Sequence, residues 1–458
     1  MNTTVTKPLL TDETGKEVVE GLKLIANRVA EQGSSFYYEL RIEIETGSIC
    51  RASIGPKLKE AVSVNGEAIL YLDQFGTWIV SGETPSGKKM VTEIVTADAP
   101  GIHYLTARFN GIYGVRWAGT ASTACVRIDD SAVLDEPVSY VAGMEAGEYG
   151  SPYDEIQPWA SMHIVEDEAA GTLVAIPKFW YKLTIAADKS VEIKIAAYPA
   201  DGFKVSPAHM DRGDGNGERE VVYIGRYHCG DGYKSMTGVK PMTSKTRAAF
   251  RSGIHELGDD IWQNDIATRI TLWLLYLVEY ADWNTQKTIG YGCGNNSSTE
   301  NMGASDAMPY HTGTMMASKT EYGVGVQYRH IEGLWDNVYD WCDGIYFNDT
   351  EVYVTANPAD FSDTANGTLV CTRPASSSFI SAWQQAEEPF DWFLYPEAVA
   401  GSADSYIGDY CNYASGGVVL RCGGGYGRYQ DYGLFCLGGY SGASNASGDF
   451  GSRLLKLP

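Results

Sequence analysis

Apolar and polar residues alternate strictly along residues 38–45, where every second side chain of YELRIEIE is hydrophobic or aromatic. A period of two is typical of a β-strand with one buried face. Four further short stretches, rich in β-branched and aromatic residues, follow before residue 109, and turn residues separate them. These stretches are residues 68–72, 76–81, 90–96 and 102–106. Five short strands at this spacing predict a small β-sandwich over residues 34–112.

A helical period precedes the predicted sandwich. The apolar residues Val18, Leu22, Ile25 and Val29 recur at spacings of four, three and four, with charged side chains beside them. This pattern predicts an amphipathic helix within residues 1–33. Two interpretations stay open: the helix packs on its own chain, or it associates with copies of itself as an oligomerisation helix. About two heptads are marginal for a coiled coil, so the second interpretation requires further contacts elsewhere.

From residue 113 onward the pattern changes to short elements and long irregular stretches rich in Gly, Tyr, Trp and Asn. One helix is predicted to open at residues 243–251, with Thr243 or Ser244 as its N-cap, and a second to occupy residues 261–283. The apolar face of the second helix is expected to consist of Trp273, Leu274, Tyr276, Leu277 and Tyr280. So much irregular backbone favours a fold that holds long loops rigidly, and an α+β domain is predicted here.

Composition narrows the classes of partner. The 458 residues suggest more than one domain, and 44% hydrophobic with 20% charged residues is typical of a folded chain. The 35 basic and 58 acidic residues give a net charge of −23, which argues against nucleic acid or an anionic membrane as the main partner. No basic start followed by an apolar run is visible, and the longest apolar stretch, residues 270–280, is too short for a bilayer. We therefore expect synthesis in the cytoplasm without membrane insertion.

Catalytic and metal-binding patterns are weak. The nine cysteines show no CxxC spacing and the seven histidines no HExxH pairing, so we expect reduced, buried thiols and no metal site among them. The turn at residues 210–218 contains oxygen ligands that suit Ca²⁺, although the EF-hand pattern is missing. These ligands are Asp211, Asp214, Asn216 and Glu218. We predict no catalytic residue and no cofactor, with calcium at this turn as the alternative.

Two segments near the C-terminus, residues 425–432 and 438–449, consist almost wholly of Gly, Tyr, Ser, Asn, Asp and Arg. Tyrosine offers rigid contact area with a hydroxyl, serine and asparagine offer adaptable hydrogen bonds, and glycine lets the backbone fit a ligand. A plain glycine-rich surface loop has the same composition. We predict that both segments are binding loops, with Tyr and Arg as the energetic anchors. The candidate ligand-binding residues are Tyr426, Arg428, Tyr429, Asp431, Tyr432, Tyr440, Ser441, Ser444, Asn445 and Asp449.

The flanking motifs carry a family resemblance. Residues 336–341 (DNVYDW) resemble the GNVWEW-type core motif of C-type-lectin-like domains related to the formylglycine-generating enzyme. Val338 and Trp341 would point into a core, while Asn337 and Asp340 would satisfy loop backbone. Three further stretches resemble later strands of the same domains: VLRCGG at 419–424, LFCL at 434–437 and FGSRL at 450–454. The similarity covers about residues 160–458.

Binding loops between such strands make the chain similar to the variable proteins of diversity-generating retroelements, of the major-tropism-determinant type. Residues 75–95 resemble the immunoglobulin-like modules of phage tail proteins. The resemblance implies a tail-fibre protein with an oligomerisation helix (1–33), an immunoglobulin-like β-sandwich (34–112) and a C-type-lectin-like domain (113–458).

Partners and location follow from the same resemblance. It implies a homotrimer, contacts with other tail or baseplate proteins, a place in the virion, and a bacterial surface receptor, protein or glycan, as ligand. Three alternatives stay open: an enzyme of the formylglycine-generating type, a purely structural virion protein, and a bacterial surface lectin. The enzyme would need a reactive thiol, for which Cys411, Cys422 and Cys436 are the candidates.

Overall fold

A computed structural model of the chain describes residues 38–85, 90, 92–107, 111–120, 123–402 and 405–458. The chain divides into two compact units, Met1–Gly111 and Ile112–Pro458. Strands predominate in both, so the fold is mostly β, with several sheets. Within the described ranges, no helix is long and apolar enough to cross a membrane. The predicted helix within residues 1–33 lies outside the described residues and stays a prediction.

The first unit consists of two sheets that share one core. Its strands are β1 (Tyr38–Glu43), β2 (Ile49–Ile54), β3 (Lys57–Val62), β4 (Glu67–Leu72), β5 (Gly76–Glu83), β6 (Glu93–Ala97) and β7 (Gly101–Thr106). One sheet has the order β4-β1-β7 and the other β3-β2-β5-β6. Side chains from both sheets, including Leu40 of β1 and Trp78 of β5, are buried in one hydrophobic cluster.

Strands β2 and β3 were not predicted. The buried positions of β2 hold only Cys50 and Ala52, which are small, and β3 buries none of its six side chains fully. Their hydrophobic alternation is therefore weak. The strand predicted at residues 90–96 begins only at Glu93.

The second unit contains four sheets among its described residues. Its strands are β8 (Ile112–Trp117), β9 (Val126–Asp129), β10 (His163–Asp167), β11 (Gly171–Pro177), β12 (Trp180–Ile185), β13 (Val191–Ala196), β14 (Lys204–Val205), β15 (Val221–Gly225), β16 (Ile261–Gln263), β17 (Gly313–Thr314), β18 (Val326–Tyr328), β19 (Ile331–Glu332), β20 (Tyr339–Asn348), β21 (Glu351–Val354), β22 (Thr368–Thr372), β23 (Ser378–Gln385), β24 (Leu394–Val399), β25 (Tyr410–Tyr413), β26 (Gly417–Cys422), β27 (Leu437–Ser441), β28 (Phe450–Gly451) and β29 (Leu454–Lys456).

The sheet orders are β10-β11-β15-β29-β16, β14-β12-β13-β8-β9, β17-β18-β19 and β22-β21-β20-β26-β27-β25-β23-β24. In the last of these, the largest sheet, β28 adds to β20 in parallel. The strands β26 and β27, which flank the first predicted binding loop, are inner strands of this sheet. Because each of these strands pairs with a neighbour on both sides, they give the loops a rigid support.

Three α-helices lie in the described part of the second unit: α1 (Arg247–His255), α2 (Ile266–Tyr280) and α3 (Thr285–Thr288). Short 3₁₀ turns occur at Asp130–Val133, Pro152–Glu155, Trp159–Ser161, Asp231–Tyr233, Pro358–Asp360 and Tyr429–Asp431. The N-cap of α1 is Thr246, whose hydroxyl accepts a hydrogen bond from the Ala249 N–H. The predicted cap, Thr243 or Ser244, was wrong by two or three positions.

Helix α2 is shorter and more deeply buried than predicted. Residues Ile261–Gln263 form β16, and the helix begins after Asp265, whose carboxylate accepts from the Thr268 N–H at 2.8 Å. All 15 residues of α2 are buried, so the prediction of one apolar face was too narrow. A helix that is covered on every side belongs to the interior of a large core, and α2 contacts β8, β13 and β20 there.

Candidate functional site

The first predicted binding loop connects β26 to β27. These strands pair antiparallel, with Arg421 opposite Gly438 and Cys422 opposite Leu437. Of the predicted strand at 434–437, only Leu437 is in β27, because residues 434–436 form a turn before it. The turn is buried and rigidly held, so β27 starts from a fixed point.

Two side chains hold that turn through its backbone. The Asp409 carboxylate accepts hydrogen bonds from the Gly433 and Phe435 N–H groups, both at 2.7 Å. The Thr285 hydroxyl accepts from the Leu434 N–H at 3.0 Å. Burial raises the pKa of Asp409 to about 7, although the two N–H groups oppose the rise.

Residues 423–432, the first loop, are fixed by their backbone. The Tyr426 N–H donates to the Asn337 carbonyl at 3.1 Å and the Tyr429 N–H donates to the Gly294 carbonyl at 2.7 Å. The Gln286 side chain donates to the Tyr429 carbonyl at 3.0 Å. Tyr429 adopts a φ of 54°, the left-handed region that costs energy for a residue with a Cβ. These bonds fix the path of the loop backbone, from which the Tyr429 side chain is exposed.

The second predicted loop begins later than expected. Residues 438–441 belong to β27, not to a loop. A Cβ on Gly438 would lie 2.7 Å from Nε of Arg421, and one on Gly439 would lie 2.9 Å from the Phe347 ring. Both glycines therefore allow close packing inside the sheet, a use of glycine that composition alone does not separate from a loop. The second loop is then residues 442–449.

The second loop is held by one hydrogen bond within it and by two bonds to the rest of the unit. The Asn445 N–H donates to the Gly442 carbonyl at 2.9 Å, and the Ser447 carbonyl accepts from the Ser244 N–H at 2.9 Å. At the end of the loop, the Asp449 carbonyl accepts from the Tyr339 N–H at 2.9 Å. The loop therefore has a defined backbone path beside the largest sheet.

An ion pair joins the two loops. Nη2 of Arg428 lies 2.9 Å from Oδ2 of Asp449, and the Ser447 hydroxyl donates to the same carboxylate. Burial alone would raise the pKa of Asp449, but the Ser447 hydrogen bond and Arg428 outweigh it, and that pKa is lowered. We call the surface formed by Tyr440 and by residues 423–432 and 442–449 the terminal-loop face.

The ten candidate residues differ in exposure. Exposed are Tyr429, Tyr440, Ser444 and Asn445; half-buried are Tyr426, Arg428, Asp431 and Tyr432; buried are Ser441 and Asp449. Ser441 is 1% exposed because it alternates with Tyr440 along β27 and points inward, so its side chain does not reach the surface. Asp449 contributes through its ion pair with Arg428.

An arginine–tyrosine cluster lies beneath the face. The Arg421 guanidinium carbon lies 4.3 Å from the centre of the Tyr339 ring, and that of Arg428 lies 5.6 Å from the same ring. Tyr432 contacts Tyr339 edge to face at 5.9 Å. Sequence reasoning assigned Arg421 to a scaffold strand and did not include it in the site.

Two tyrosines beside the first loop were also missed. The rings of Tyr322 and Tyr429 lie 6.3 Å apart, those of Tyr291 and Tyr322 lie 4.9 Å apart, and the Tyr291 hydroxyl donates to Gln430 at 3.5 Å. Residues 291–301 (YGCGNNSSTEN) have the same Gly, Asn, Ser and Tyr composition as the terminal loops. That composition was the available signal for Tyr291, whereas Tyr322 lies outside this segment.

The DNVYDW segment is structural, as predicted, with one correction. Val338 and Trp341 are buried, and the Asn337 side chain bonds both the N–H and the carbonyl of Glu300. Asp340 was expected to satisfy loop backbone. Instead its carboxylate lies 2.9 Å from Nδ1 of His228 and 3.3 Å from Nε of Arg453. Burial alone would raise the pKa of Asp340, but the contacts with His228 and Arg453 outweigh it and lower that pKa to about 2.

In the turn at residues 210–218, acidic side chains contact other groups of the protein. Asp214 pairs with Arg219, the Asp211 carboxylate accepts from the Gly213 N–H at 2.9 Å, and Glu218 lies 3.3 Å from Nζ of Lys178. Among the described residues, no group of three or more His, Cys, Asp or Glu side chains is arranged to hold a metal ion.

The candidate thiols lie inside the fold. Cys411, Cys422 and Cys436 are buried and not in disulfides. Burial raises the pKa of Cys411 to about 12 and raises that of Cys436 well above its ordinary value. Such thiols are protonated at neutral pH, whereas a nucleophilic cysteine needs a lowered pKa and access to substrate.

Comparison with known proteins does not identify the chain. No protein-family model matches the chain, and no curated protein matches it.

Proposed function

We propose that the chain is a receptor-binding protein of a phage tail, which recognises a ligand on a bacterial surface through the terminal-loop face. The observation that carries this proposal is the coupling of the two loops. The Arg428–Asp449 ion pair joins them, while the backbone of each is bonded to the body of the unit. A paratope works in the same way, with fixed loops that present adaptable polar and aromatic side chains.

The chemistry of the face favours recognition over catalysis. Among its exposed side chains are those of Tyr429, Tyr440, Ser444 and Asn445, which offer contact area and hydrogen bonds. The alternative, an enzyme of the formylglycine-generating type, would have to use thiols that are buried, and the pKa of two of them, Cys411 and Cys436, is raised. The tail, virion, trimer and lectin-like assignments rest on the sequence resemblance and belong to the same proposal. Assembly as a trimer would strengthen weak single-site contacts through avidity.

A cell-binding experiment tests the proposal. In the full-length protein, Tyr429, Tyr440, Ser444 and Asn445 are replaced together by alanine, and retention on bacterial cells that the unaltered protein binds is measured by pull-down. We expect a loss of binding of about tenfold or more, since exposed aromatic anchors dominate such interfaces. The matched control is Tyr104→Ala, which removes an exposed tyrosine from the first unit. Full retention by the loop variant would refute the proposal in favour of a structural virion protein.

A second test addresses diversification. The gene is sequenced from many sister isolates, and substitutions are counted by position. We expect them to cluster at residues 425–432 and 442–449, while Leu434, Phe435 and Gly451 stay constant, because these three are buried in the support. Uniform constancy across the loops would remove the retroelement part of the proposal and leave a tail protein of fixed specificity.

A further inference from the structure

The first unit exposes an apolar row on the outer face of one of its sheets. Leu58 of β3, Ile79 of β5 and Ile94 of β6 are 60%, 52% and 72% exposed. Leu58 and Ile79 both lie opposite Ser53 of β2, and Ile94 lies opposite Ile79. Residues that lie opposite one another in a sheet point to the same face. The three side chains therefore form one line across four strands, while Trp78, next to Ile79, points into the core. We call Leu58, Ile79 and Ile94 the apolar row.

Exposed apolar side chains are concentrated in this unit. Among the described residues, 15 large hydrophobic side chains are exposed, and eight of them belong to the unit Met1–Gly111, which is less than a quarter of the chain. Exposed hydrophobic residues that stand singly are ordinary, whereas a contiguous set marks a surface that another segment or molecule covers. The apolar row has only Ser53 between its members, so it belongs to the second kind.

We infer that the amphipathic helix predicted near the start of the chain covers the apolar row of its own sandwich. The sequence predicts this helix within residues 1–33, which are outside the described residues, and its apolar stripe is Val18, Leu22, Ile25 and Val29. From the first to the last residue of the stripe, a helix rises by about 16 Å. The row crosses three strand spacings, about 14 Å. The stripe is therefore long enough to cover the whole row.

The chain enters the sandwich near the apolar row. Tyr38, the first residue of β1, lies opposite Leu72, the last residue of β4. Three residues connect Leu72 to Gly76, the first residue of β5, so Tyr38 and the start of β5 are at the same end of the unit. Ile79 is the fourth residue of β5. The connection between Val29 and Tyr38, residues 30–37, can span about 26 Å. Because the sheets of a sandwich lie about 10 Å apart, this connection reaches from β1 to the outer face of the other sheet.

The predicted helix suits a sheet better than it suits a coiled coil. In the heptad that the stripe defines, the e and g positions are Val19, Gly21, Ala26 and Arg28. Coiled coils use charged residues at these positions to select their partners, and here only Arg28 is charged. Uncharged flanks widen the apolar stripe, which is typical of a helix that packs on its own chain. A helix packed in this way does not form a coiled coil as well, so the trimer of the proposed function would be held by other contacts.

Hydrogen exchange on the full-length protein tests the inference. The Ile79→Lys/Ile94→Lys variant places charges on two exposed positions of the row and leaves the core of the sandwich unaltered. We expect the backbone amides of residues 18–29 to exchange at least about tenfold faster than in the unaltered protein, because the helix loses its packing surface. The matched control is Tyr104→Lys, which changes an exposed position of the other sheet and should leave this exchange unchanged. Equal exchange in the row variant and the unaltered protein would overturn the inference.

Chemical crosslinking identifies the copy that supplies the helix. The full-length Leu22→Cys/Ile79→Cys variant is treated with a short bismaleimide, and the products are analysed by denaturing gel and mass spectrometry. We expect a crosslinked product with the mass of one chain. The matched control is Leu24→Cys/Ile79→Cys, which should give several-fold less product because Leu24 points to the opposite side of the helix. The native cysteines of the described residues are buried or partly buried, and the unaltered protein gives their background.

Two results of the crosslinking would overturn the inference. A main product with the mass of two chains would assign the apolar row to the helix of a second copy. Equal yields from the Leu22→Cys and Leu24→Cys variants would mean that no fixed face of the helix lies on the row.

Discussion

Buried charges are satisfied differently in two regions of the second unit. In helix α2, Glu279 forms an ion pair with Arg329 in which both side chains are almost fully buried. Under the terminal-loop face, Asp409 is held by backbone N–H groups and Arg421 by aromatic rings, and neither forms an ion pair with another described residue. The first arrangement locks two segments together. The second leaves a carboxylate, that of Asp409, whose pKa of about 7 lets it titrate near neutral pH.

The largest effect is expected from breaking the buried pair. Glu279→Gln removes the buried counter-charge of Arg329, which keeps Asp154 at 3.0 Å, and also weakens the hydrogen bond from the Tyr328 hydroxyl. Removing one partner of a buried pair costs about 3–5 kcal/mol. Because Asp154 remains, urea unfolding should show a loss of about 3 kcal/mol in the free energy of unfolding. Glu397→Gln, which breaks the exposed pair with Lys189, is the control and should cost no more than about 1 kcal/mol. Similar losses in the two variants would remove the contrast.

The next effect is a pH dependence that comes from the unpaired carboxylate. The pKa of Asp409 is about 7 in the folded protein, against about 3.9 in an unfolded chain. Between these values the folded state holds the proton and the unfolded state does not, so the free energy of unfolding falls as pH rises from about 4 to 7. The fall is at most about 1.4 kcal/mol for each pH unit. Asp340, with a pKa of about 2, keeps its charge throughout this window.

Asp409→Asn isolates this contribution. Asp336, whose pKa burial also raises to about 7, changes in the same direction and remains in both proteins. Urea unfolding at several pH values should therefore give a shallower decline for the variant than for the unaltered protein. Parallel profiles would mean that Asp409 does not titrate in this range.

The smallest of the three effects concerns the packing of Arg421. Gly438→Ala places a Cβ 2.7 Å from Nε of Arg421, so the arginine must move from the Tyr339 ring. Overpacking of this kind costs about 1–3 kcal/mol. In Gly442→Ala the nearest atom is Oδ1 of Asn445 at 3.6 Å, an ordinary contact, and a change within about 0.5 kcal/mol is expected. Equal thermal stability of the two variants would show that Arg421 has room to move.

The sequence predicts a helix or strand best when only one face of that element is buried. Strand β1 buries Tyr38, Leu40 and Ile42 at every second position, and this alternation in the sequence identified it, although Glu39 is buried as well. Helix α2 is buried on all sides, so its periodicity could not mark its ends, and β16 was merged with it. The cap at Asp265 was the local signal that separates the two.

The candidate site could be predicted from the sequence only where the amino-acid composition indicates exposed residues. Composition indicated the loops that carry Tyr429 and Asn445, but it could not separate Gly438 in a strand from a glycine in a loop. That glycine is required by Arg421, its cross-strand partner, and the pairing exists only in three dimensions. The contact between Tyr322 and Tyr429 depends on long-range folding in the same way.

The position of β29 has a consequence for how the molecule forms. This strand lies between β15 and β16, pairing Lys456 with both Tyr223 and Ile261. Contacts between residues so distant in sequence form slowly, because the chain entropy lost in closing the loop comes before the gain from pairing. In sequence, the terminal-loop face lies between β26 and β29. Its two ends are therefore held in place only after the largest sheet and the sheet that contains β29 have both formed. A chain therefore completes the terminal-loop face only at the end of its folding, and an incompletely folded chain lacks it.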